Sequence, residues 1–122
     1  MQAVLVVDDD TLSQLLLKRM LAALDIEVLT ANNALEGIQI AYDRRPAIII
    51  MDILLPGEGG NGWSAITQIK NETKLAHIPI IVVTAGGSYL DEAKALELGC
   101  YAYFRKPFDV QTLLMCIKDS LG

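Results

Sequence analysis

Short apolar runs alternate with longer amphipathic stretches five times along this chain. The apolar runs are rich in β-branched residues, and three of them show no polar alternation, which is typical of central parallel strands covered on both faces. The predicted strands are Ala3–Val7, Glu27–Thr30, Ala47–Met51, Ile80–Thr84 and Ala102–Arg105. The second of these is shorter and more mixed than the others, which favours an edge position.

The stretches between the strands have helical periodicity. The predicted helices are Leu12–Leu24, Ala34–Tyr42, Trp63–Thr73, Asp91–Leu98 and Val110–Leu121. Asp109 and either Asn32 or Asn33 are suited to cap helices at the N-terminus, and Gly99 is suited to end one.

Apolar residues in the first and last helices recur at three- and four-residue spacing, which predicts the faces that pack on the sheet. The expected core stripe of the first helix is Leu12, Leu16, Met20 and Ala23. The expected stripe of the last helix is Val110, Leu114, Ile117 and Leu121. The first helix has a second apolar row, which consists of Leu17, Leu21 and Leu24. This row is either a docking surface or part of a broad buried face.

This repeated strand–helix order predicts an α/β fold of flavodoxin-like class. Its five parallel strands would form a doubly wound (βα)5 sheet with right-handed crossovers. The 122 residues are the length of one domain, and neither a linker nor an internal repeat interrupts them. We therefore expect a single domain over residues 1–122, without an output domain.

Charge and composition narrow the possible partners. The net charge is −5 and the basic residues are scattered, which argues against direct binding of nucleic acid. No apolar run approaches the ~20 residues needed to span a bilayer, and the N-terminus lacks the features of a signal peptide. Cys100 and Cys116 have neither C-x-x-C spacing nor a nearby histidine, so both are expected to be reduced thiols. The chain is predicted to be cytoplasmic, without a membrane partner.

Polar residues follow four of the predicted strands. Asp8, Asp9 and Asp10 follow the first strand, and Asp52 follows the third. Thr84 ends the fourth strand, and Lys106 follows the fifth. The carboxyl ends of parallel strands meet at one edge of the sheet, near the topological switch point where ligands bind.

The chemistry of this set indicates aspartyl-phosphate formation. Neighbouring carboxylates repel unless a cation joins them, and their hard oxygens suit Mg²⁺, or Mn²⁺ in its place. A bound divalent ion would let an aspartate attack phosphorus, while lysine and threonine can contact phosphoryl oxygens. Asp10 is better placed to cap the first helix. Asp8, Asp9 and Asp52 would each be half-buried without a partner.

The chain resembles, over essentially its whole length, the receiver domains of two-component response regulators, in particular the stand-alone, chemotaxis-regulator-like type. Four motifs at successive strand ends carry the resemblance. They are VLVVDDD (Val4–Asp10), IIIMDILLPG (Ile48–Gly57), HIPIIVVTA (His77–Ala85) and GCYAYFRKPF (Gly99–Phe108).

The resemblance implies a role for each matching residue. Asp52 would be the phosphoacceptor and a metal ligand, and Asp9 would bind Mg²⁺ directly. Asp8 would bind the ion through water, and the backbone carbonyl of Leu54 would be a further ligand.

The resemblance also implies catalytic and switch residues. Thr84 and Lys106 would contact the phosphoryl group, and the Lys106–Pro107 peptide would be cis. Tyr103 would be the aromatic residue whose inward rotation accompanies movement of the threonine, and the face formed by helix four, strand five and helix five would respond.

The implied partners are a sensor histidine kinase or a histidine phosphotransfer protein, which would dock at the first helix, and a downstream target protein. On the face of helix four, strand five and helix five, the side chains expected to point outward are Tyr89, Leu90, Ala93 and Met115. The protein would be a monomer or a weak phosphorylation-dependent dimer, and its only chemistry would be self-phosphorylation and autodephosphorylation.

Two departures from the family pattern stand out. The segment from Pro56 to Asn61 carries two extra residues, and its glycines favour a mobile loop. The residue two after the acceptor is Leu54, and the residue two after the threonine is Gly86. Neither side chain can hydrogen-bond an attacking water, so we expect slow self-catalysed hydrolysis.

Three alternative functions differ in what they require of the sequence. A HAD-like phosphohydrolase would need a second acid at the position of Leu54. A flavin or nucleotide binder would need a phosphate-cradling loop where the chain has three aspartates. A degenerate receiver, working without phosphorylation, would not need the complete set of acids, threonine and lysine.

Overall fold

The computed structural model describes residues 1–57, 59–86 and 89–122. The strands are β1 (Gln2–Val7), β2 (Ile26–Ala31), β3 (Ile48–Met51), β4 (Ile80–Thr84) and β5 (Ala102–Arg105). The helices are α1 (Thr11–Leu21), α2 (Ala34–Arg44), α3 (Gly62–Asn71), α4 (Tyr89–Glu97) and α5 (Val110–Leu121). Within the described residues, each of these helices is too short or too polar to cross a membrane.

All five predicted strands and helices are present in the predicted order. The largest difference in bounds is in α1, which ends at Leu21 and not at Leu24. Glu58, in the glycine-rich loop, lies outside the described residues, so the prediction of a mobile loop is not tested at that position.

The strands form one parallel sheet in the order β2-β1-β3-β4-β5, which confirms the doubly wound fold. Val4 of β1 pairs with Val28 on one side and with Ile48 on the other. The chain moves outward from β1 in both directions, so the switch point lies between β1 and β3. The carboxyl ends of these two strands therefore flank the crevice in which such folds bind ligands.

The sheet is covered on both faces, which explains its continuous apolar strands. Helices α1 and α5 cover one face, where the buried helical side chains are Leu17, Leu21, Leu113 and Ile117. Helices α2, α3 and α4 cover the other face, where the larger buried helical side chains are Ile38, Ile66 and Ile69. The edge strand β2 is half-buried through most of its length, as its mixed sequence predicts.

The predicted core stripe of α1 was wrong except at Met20, which packs against the core. Leu12 and Leu16 are 74% and 49% exposed, Ala23 lies beyond the end of the helix, and Met20 is half-buried. The second row supplies the core instead, with Leu17 and Leu21 buried and Leu24 packed against them. Both rows have the same spacing, and their side chains point about 100° apart, so periodicity alone did not identify the face on the sheet.

The stripe predicted for α5 was partly right. Ile117 is buried, and Leu114 and Leu121 pack against the same core. Val110 is exposed, and Leu113 is the buried residue of the first turn. Val110 is the first helical residue of α5.

The predicted capping residues are confirmed. The side chain of Asp10 accepts from the N–H of Leu12, and that of Asn33 accepts from the N–H of Glu36. Asp109 accepts from two N–H groups of α5, and Gly99 has a φ of +88° after α4. These caps satisfy backbone donors that helix ends otherwise leave unpaired.

Both cysteines are free thiols, as predicted; Cys100 is buried and Cys116 is half-buried. Burial raises the pKa of the Cys100 thiol from 9.0 to about 11.

Candidate functional site

Three acids meet at the carboxyl ends of β1 and β3. Asp8 and Asp52 directly follow these adjacent strands and are 2% and 6% exposed. One carboxylate oxygen each from Asp8, Asp9 and Asp52 lies within 4.8 Å of the others. Asp9 was expected to be half-buried, but it is exposed, because the chain leaves the sheet after Asp8 to begin α1.

Lys106 joins this group from the end of β5. The Lys106–Pro107 peptide is cis, as predicted. The Nζ atom of Lys106 donates to Asp8 Oδ2 at 2.7 Å and to Asp52 Oδ2 at 3.5 Å. The structure therefore brings together the acids and the lysine predicted from three separate strand ends.

The ionisation of this group reflects its burial and its charge imbalance. Burial raises the pKa of Asp8, although the hydrogen bond from Lys106 opposes that effect. Burial lowers the pKa of Lys106, but the carboxylates of Asp8 and Asp52 outweigh it, and the net pKa is raised. One ammonium faces three carboxylates, so the site keeps an excess of negative charge that a cation would neutralise.

The donor set fits a hard divalent cation. Carboxylate oxygens at partly exposed positions are the ligands with which Mg²⁺ is bound while it keeps several waters. Asp9 contributes the solvent-facing oxygen, and Asp8 and Asp52 contribute the buried side. The N–H of Leu54 donates to Asp52 Oδ1 at 3.1 Å, which orients the Asp52 carboxylate. The backbone carbonyl of Leu54 stays a predicted ligand.

Thr84 ends β4 and is buried. Its Oγ1 atom has no hydrogen-bond partner among the residues that the structure describes. A buried hydroxyl without a partner is costly, so a phosphoryl oxygen arriving within its reach would be stabilised. Tyr103 of β5 is half-buried, and its hydroxyl donates to the carbonyl of Gly86 at 3.3 Å. A cavity of about 20 Å³ is lined by both Thr84 and Tyr103.

Leu54 and Gly86, at which the chain departs from the family pattern, lie next to each other. The Leu54 side chain is 58% exposed, and a Cβ at Gly86 would come within 2.9 Å of it. The apolar side chain of Leu54 therefore lies against Gly86. A Cβ at Gly62 would collide with the backbone oxygen of Asp52, so glycine lets α3 begin directly beside Asp52.

Sequence reasoning missed two polar residues in the first turn of α1. Ser13 Oγ accepts from Lys106 Nζ at 3.1 Å. Gln14 Nε2 donates to the backbone oxygen of Asp8 at 2.6 Å and to Asn32 Oδ1 at 2.9 Å. Gln14 therefore ties the end of β1 to the end of β2. The only sequence feature that pointed to Ser13 and Gln14 was that they are polar residues close to Asp10, the predicted N-cap.

Comparison with known proteins places the fold and the motifs in one family. The family described as response regulator receiver domain matches residues 4–118. The polar-differentiation response regulator DivK of Brucella anthropi is 35% identical over 99% of this chain and 97% of its own length.

Solved structures give the same result. A response regulator receiver domain protein from Clostridium thermocellum has a TM-score of 0.87 and 28% identity, covering 99% of this chain and 94% of that one. The receiver domain of the sensor histidine kinase PA1611 from Pseudomonas aeruginosa has a TM-score of 0.86 and 28% identity, covering 99% and 98%. That structure has a magnesium ion coordinated in its active site cleft. The present chain thus belongs to the family of response regulator receiver domains.

Proposed function

We propose that this protein is a signalling switch that accepts a phosphoryl group on Asp52 from a sensor histidine kinase or a histidine phosphotransfer protein. The observation that carries the proposal is the position of Asp52. Its carboxylate is nearly buried, lies within one cluster with Asp8 and Asp9, and is 3.5 Å from the Lys106 ammonium. A nucleophilic oxygen, a cation site and a positive charge are thereby combined at one edge of the sheet.

The proposed step is a transfer from phosphohistidine to carboxylate. An Asp52 carboxylate oxygen attacks phosphorus and forms an O–P bond while the N–P bond of the donor breaks. The electron pair of that bond stays on the imidazole nitrogen, which takes up a proton. The acceptor keeps the phosphoryl group as an acyl phosphate.

Mg²⁺, or Mn²⁺, held by Asp8, Asp9, Asp52 and the Leu54 carbonyl, would offset phosphate charge and draw its oxygens toward the acceptor. The acidic cluster and the magnesium site of the Pseudomonas aeruginosa receiver domain support this proposal. Lys106 would hold one phosphoryl oxygen by a charge-assisted hydrogen bond. Thr84 would donate to another and so gain the partner that its buried hydroxyl lacks.

We propose that the signal leaves through the face of α4, β5 and α5. Movement of Thr84 toward the phosphoryl group would vacate space for Tyr103, shifting an existing equilibrium. Tyr89, Leu90, Ala93 and Met115 are all exposed on these elements, as predicted. This exposure supports contact with a downstream protein target. We place this exchange in the cytoplasm, between proteins and without a membrane or nucleic acid partner, in line with the net charge of −5.

The proposed chemistry is limited to the protein itself. Leu54 occupies the place where a HAD-like phosphohydrolase would need its second acid, so repeated turnover is not supported. A degenerate receiver would have no need for Lys106 to contact both Asp8 and Asp52.

The test is incubation of the full chain with Mg²⁺ and acetyl phosphate, followed by intact mass spectrometry and Trp63 fluorescence. We expect one phosphoryl group per chain, and none in Asp52→Asn. Asp43→Asn, an exposed acid in α2, serves as the matched control and should be phosphorylated normally. Failure of the wild-type chain to gain a phosphoryl group, with or without divalent ion, would refute the proposal.

A further inference from the structure

The Lys106 ammonium has three N–H donors, and three oxygens from three elements surround it. Asp8 Oδ2 lies at 2.7 Å, Ser13 Oγ at 3.1 Å and Asp52 Oδ2 at 3.5 Å from Nζ. Two of these acceptors are acids of the proposed site. Ser13 is the single neutral acceptor of Lys106 Nζ within the described part of the chain.

The hydroxyl of Ser13 is oriented by its second hydrogen bond. Ser13 Oγ donates to Asp10 Oδ2 at 3.1 Å. A hydroxyl has only one hydrogen, so donation to Asp10 leaves its lone pairs for Lys106. Asp10 also caps α1 through the N–H of Leu12, which ties this acceptor to the rigid start of the helix.

A cavity lies beside Lys106, and the flexible lysine side chain could occupy it. The cavity has a volume of about 160 Å³, and both Ser13 and Lys106 line it together with Leu16, Phe108 and Val110. Ser13 therefore lies between the cluster of charged side chains and this apolar cavity. Lysine stems readily lie along apolar surface, so losing this acceptor would free the stem to enter the cavity.

We propose that Ser13 is a positioning residue for Lys106, which holds the ammonium beside Asp52 before and during phosphoryl transfer. The inference rests on the proposed function, because it concerns the lysine assigned there to a phosphoryl oxygen. When Asp52 bears a phosphoryl group and Asp8 faces a cation, both acid acceptors are engaged elsewhere. The hydrogen bond that Ser13 accepts from Lys106 is then the one that neither the phosphoryl group nor the cation alters.

The test compares Ser13→Ala, which removes the acceptor, with Ser13→Thr, which keeps a hydroxyl. Alanine favours helix more than serine does, so Ser13→Ala is expected to fold. Thr112→Ala is the matched control, because it removes an exposed hydroxyl from the first turn of α5. Phosphorylation by acetyl phosphate is followed at saturating Mg²⁺, and Mg²⁺ affinity is measured separately by Trp63 fluorescence.

We expect Ser13→Ala to slow phosphorylation about tenfold, the size of effect that about 1.4 kcal/mol produces, with Mg²⁺ affinity changed less than about twofold. Ser13→Thr should recover most of the rate, and Thr112→Ala should match the wild type. A wild-type rate in Ser13→Ala, or no recovery in Ser13→Thr, would overturn the inference.

A second readout does not depend on phosphorylation. In metal-free protein, the ¹⁵Nζ resonance of Lys106, identified by its loss in Lys106→Arg, should be observable in the wild type and in Ser13→Thr. It should broaden or disappear in Ser13→Ala as proton exchange with water accelerates. If the wild type accepts no phosphoryl group, the proposed function fails and this resonance alone decides whether Ser13 positions the lysine. An unchanged resonance in Ser13→Ala contradicts that role.

Discussion

Asp9→Asn should make the metal-free protein more stable while removing its response to Mg²⁺. Asp9 shares a cluster with Asp8 and Asp52 in which carboxylate oxygens lie within 4.8 Å of one another. The Lys106 ammonium contacts the other two acids. Within the described residues the Asp9 side chain makes no hydrogen bond that its loss would break, so the substitution removes charge repulsion and little else.

The expected gain follows from Coulomb's law. Two unit charges 4.8 Å apart repel by about 0.9 kcal/mol in water and about 3.5 kcal/mol at an effective dielectric constant of about 20. Asp9 is exposed, so each pair lies toward the lower figure, and attraction to Lys106 offsets part of the sum. We therefore expect the free energy of unfolding to rise by about 1 kcal/mol at pH 7 and low salt.

Urea unfolding with a chelator, and again with excess Mg²⁺, measures both effects. The wild type should be stabilised by the ion to an extent that grows with the logarithm of the ratio of the Mg²⁺ concentration to its Kd, and Asp9→Asn should lose most of that gain. Asp25→Asn is the matched control, because this exposed acid lies just before β2, at the opposite edge of the sheet, and changes the net charge equally. If Asp9→Asn in chelator is no more stable than Asp25→Asn, repulsion does not dominate the empty site.

Three further predictions concern the core, the buried thiol and the acceptor. Leu17→Ala should lower the free energy of unfolding by about 2–5 kcal/mol, whereas Leu12→Ala should change it little; equal losses in urea would contradict the observed face of α1. The Cys100 thiol, with its pKa raised to about 11, stays protonated in the folded chain while the unfolded chain ionises above pH 9. Stability should therefore be intact below pH 9 and fall by roughly 2–3 kcal/mol as pH rises to 11. This loss of stability should be absent in Cys100→Ala. A parallel decline in both proteins would show that ionisation of Cys100 is not its cause. Leu54→Asn should shorten the lifetime of the phosphorylated protein, because an amide can orient water where leucine cannot. The lifetime is measured by phosphate release after loading. Loss of phosphate from the wild type within seconds would contradict the slow hydrolysis that leucine is expected to cause.

The candidate site was predictable because a parallel sheet converts sequence position into spatial position. Asp8 and Asp52 each directly follow an apolar strand, and β1 and β3 are neighbours in the sheet. Lys106 directly follows β5, whose end lies at the same edge. A strand end is easily recognised as the point where a β-branched run meets a polar residue. The residues that such points deliver to the edge could therefore be named without a structure.

The face of α1 could not be predicted in the same way. Leu12 and Leu16 have the same spacing as Leu17 and Leu21, and a shift of one residue turns a helix by about 100°. The buried row is decided by the angle at which the chain leaves β1 and by packing against α5, and neither is written in the local pattern. The leucine content identified a helix that packs on the sheet but not which of its faces is buried.

The partners of the acids show a second limit. Ser13 and Gln14 belong to the first turn of α1, where polar residues ordinarily serve as capping groups or face solvent. Their contacts reach Lys106, 93 residues away, and Asn32 at the end of the next strand. In this fold each helix begins at the edge where the strands end, and α1 follows the strand that ends at Asp8, so the first turn of α1 lies beside the site. Polar residues in such a turn can contact the charged groups as well as the helix end, as the 3.1 Å distance from Lys106 Nζ to Ser13 Oγ shows.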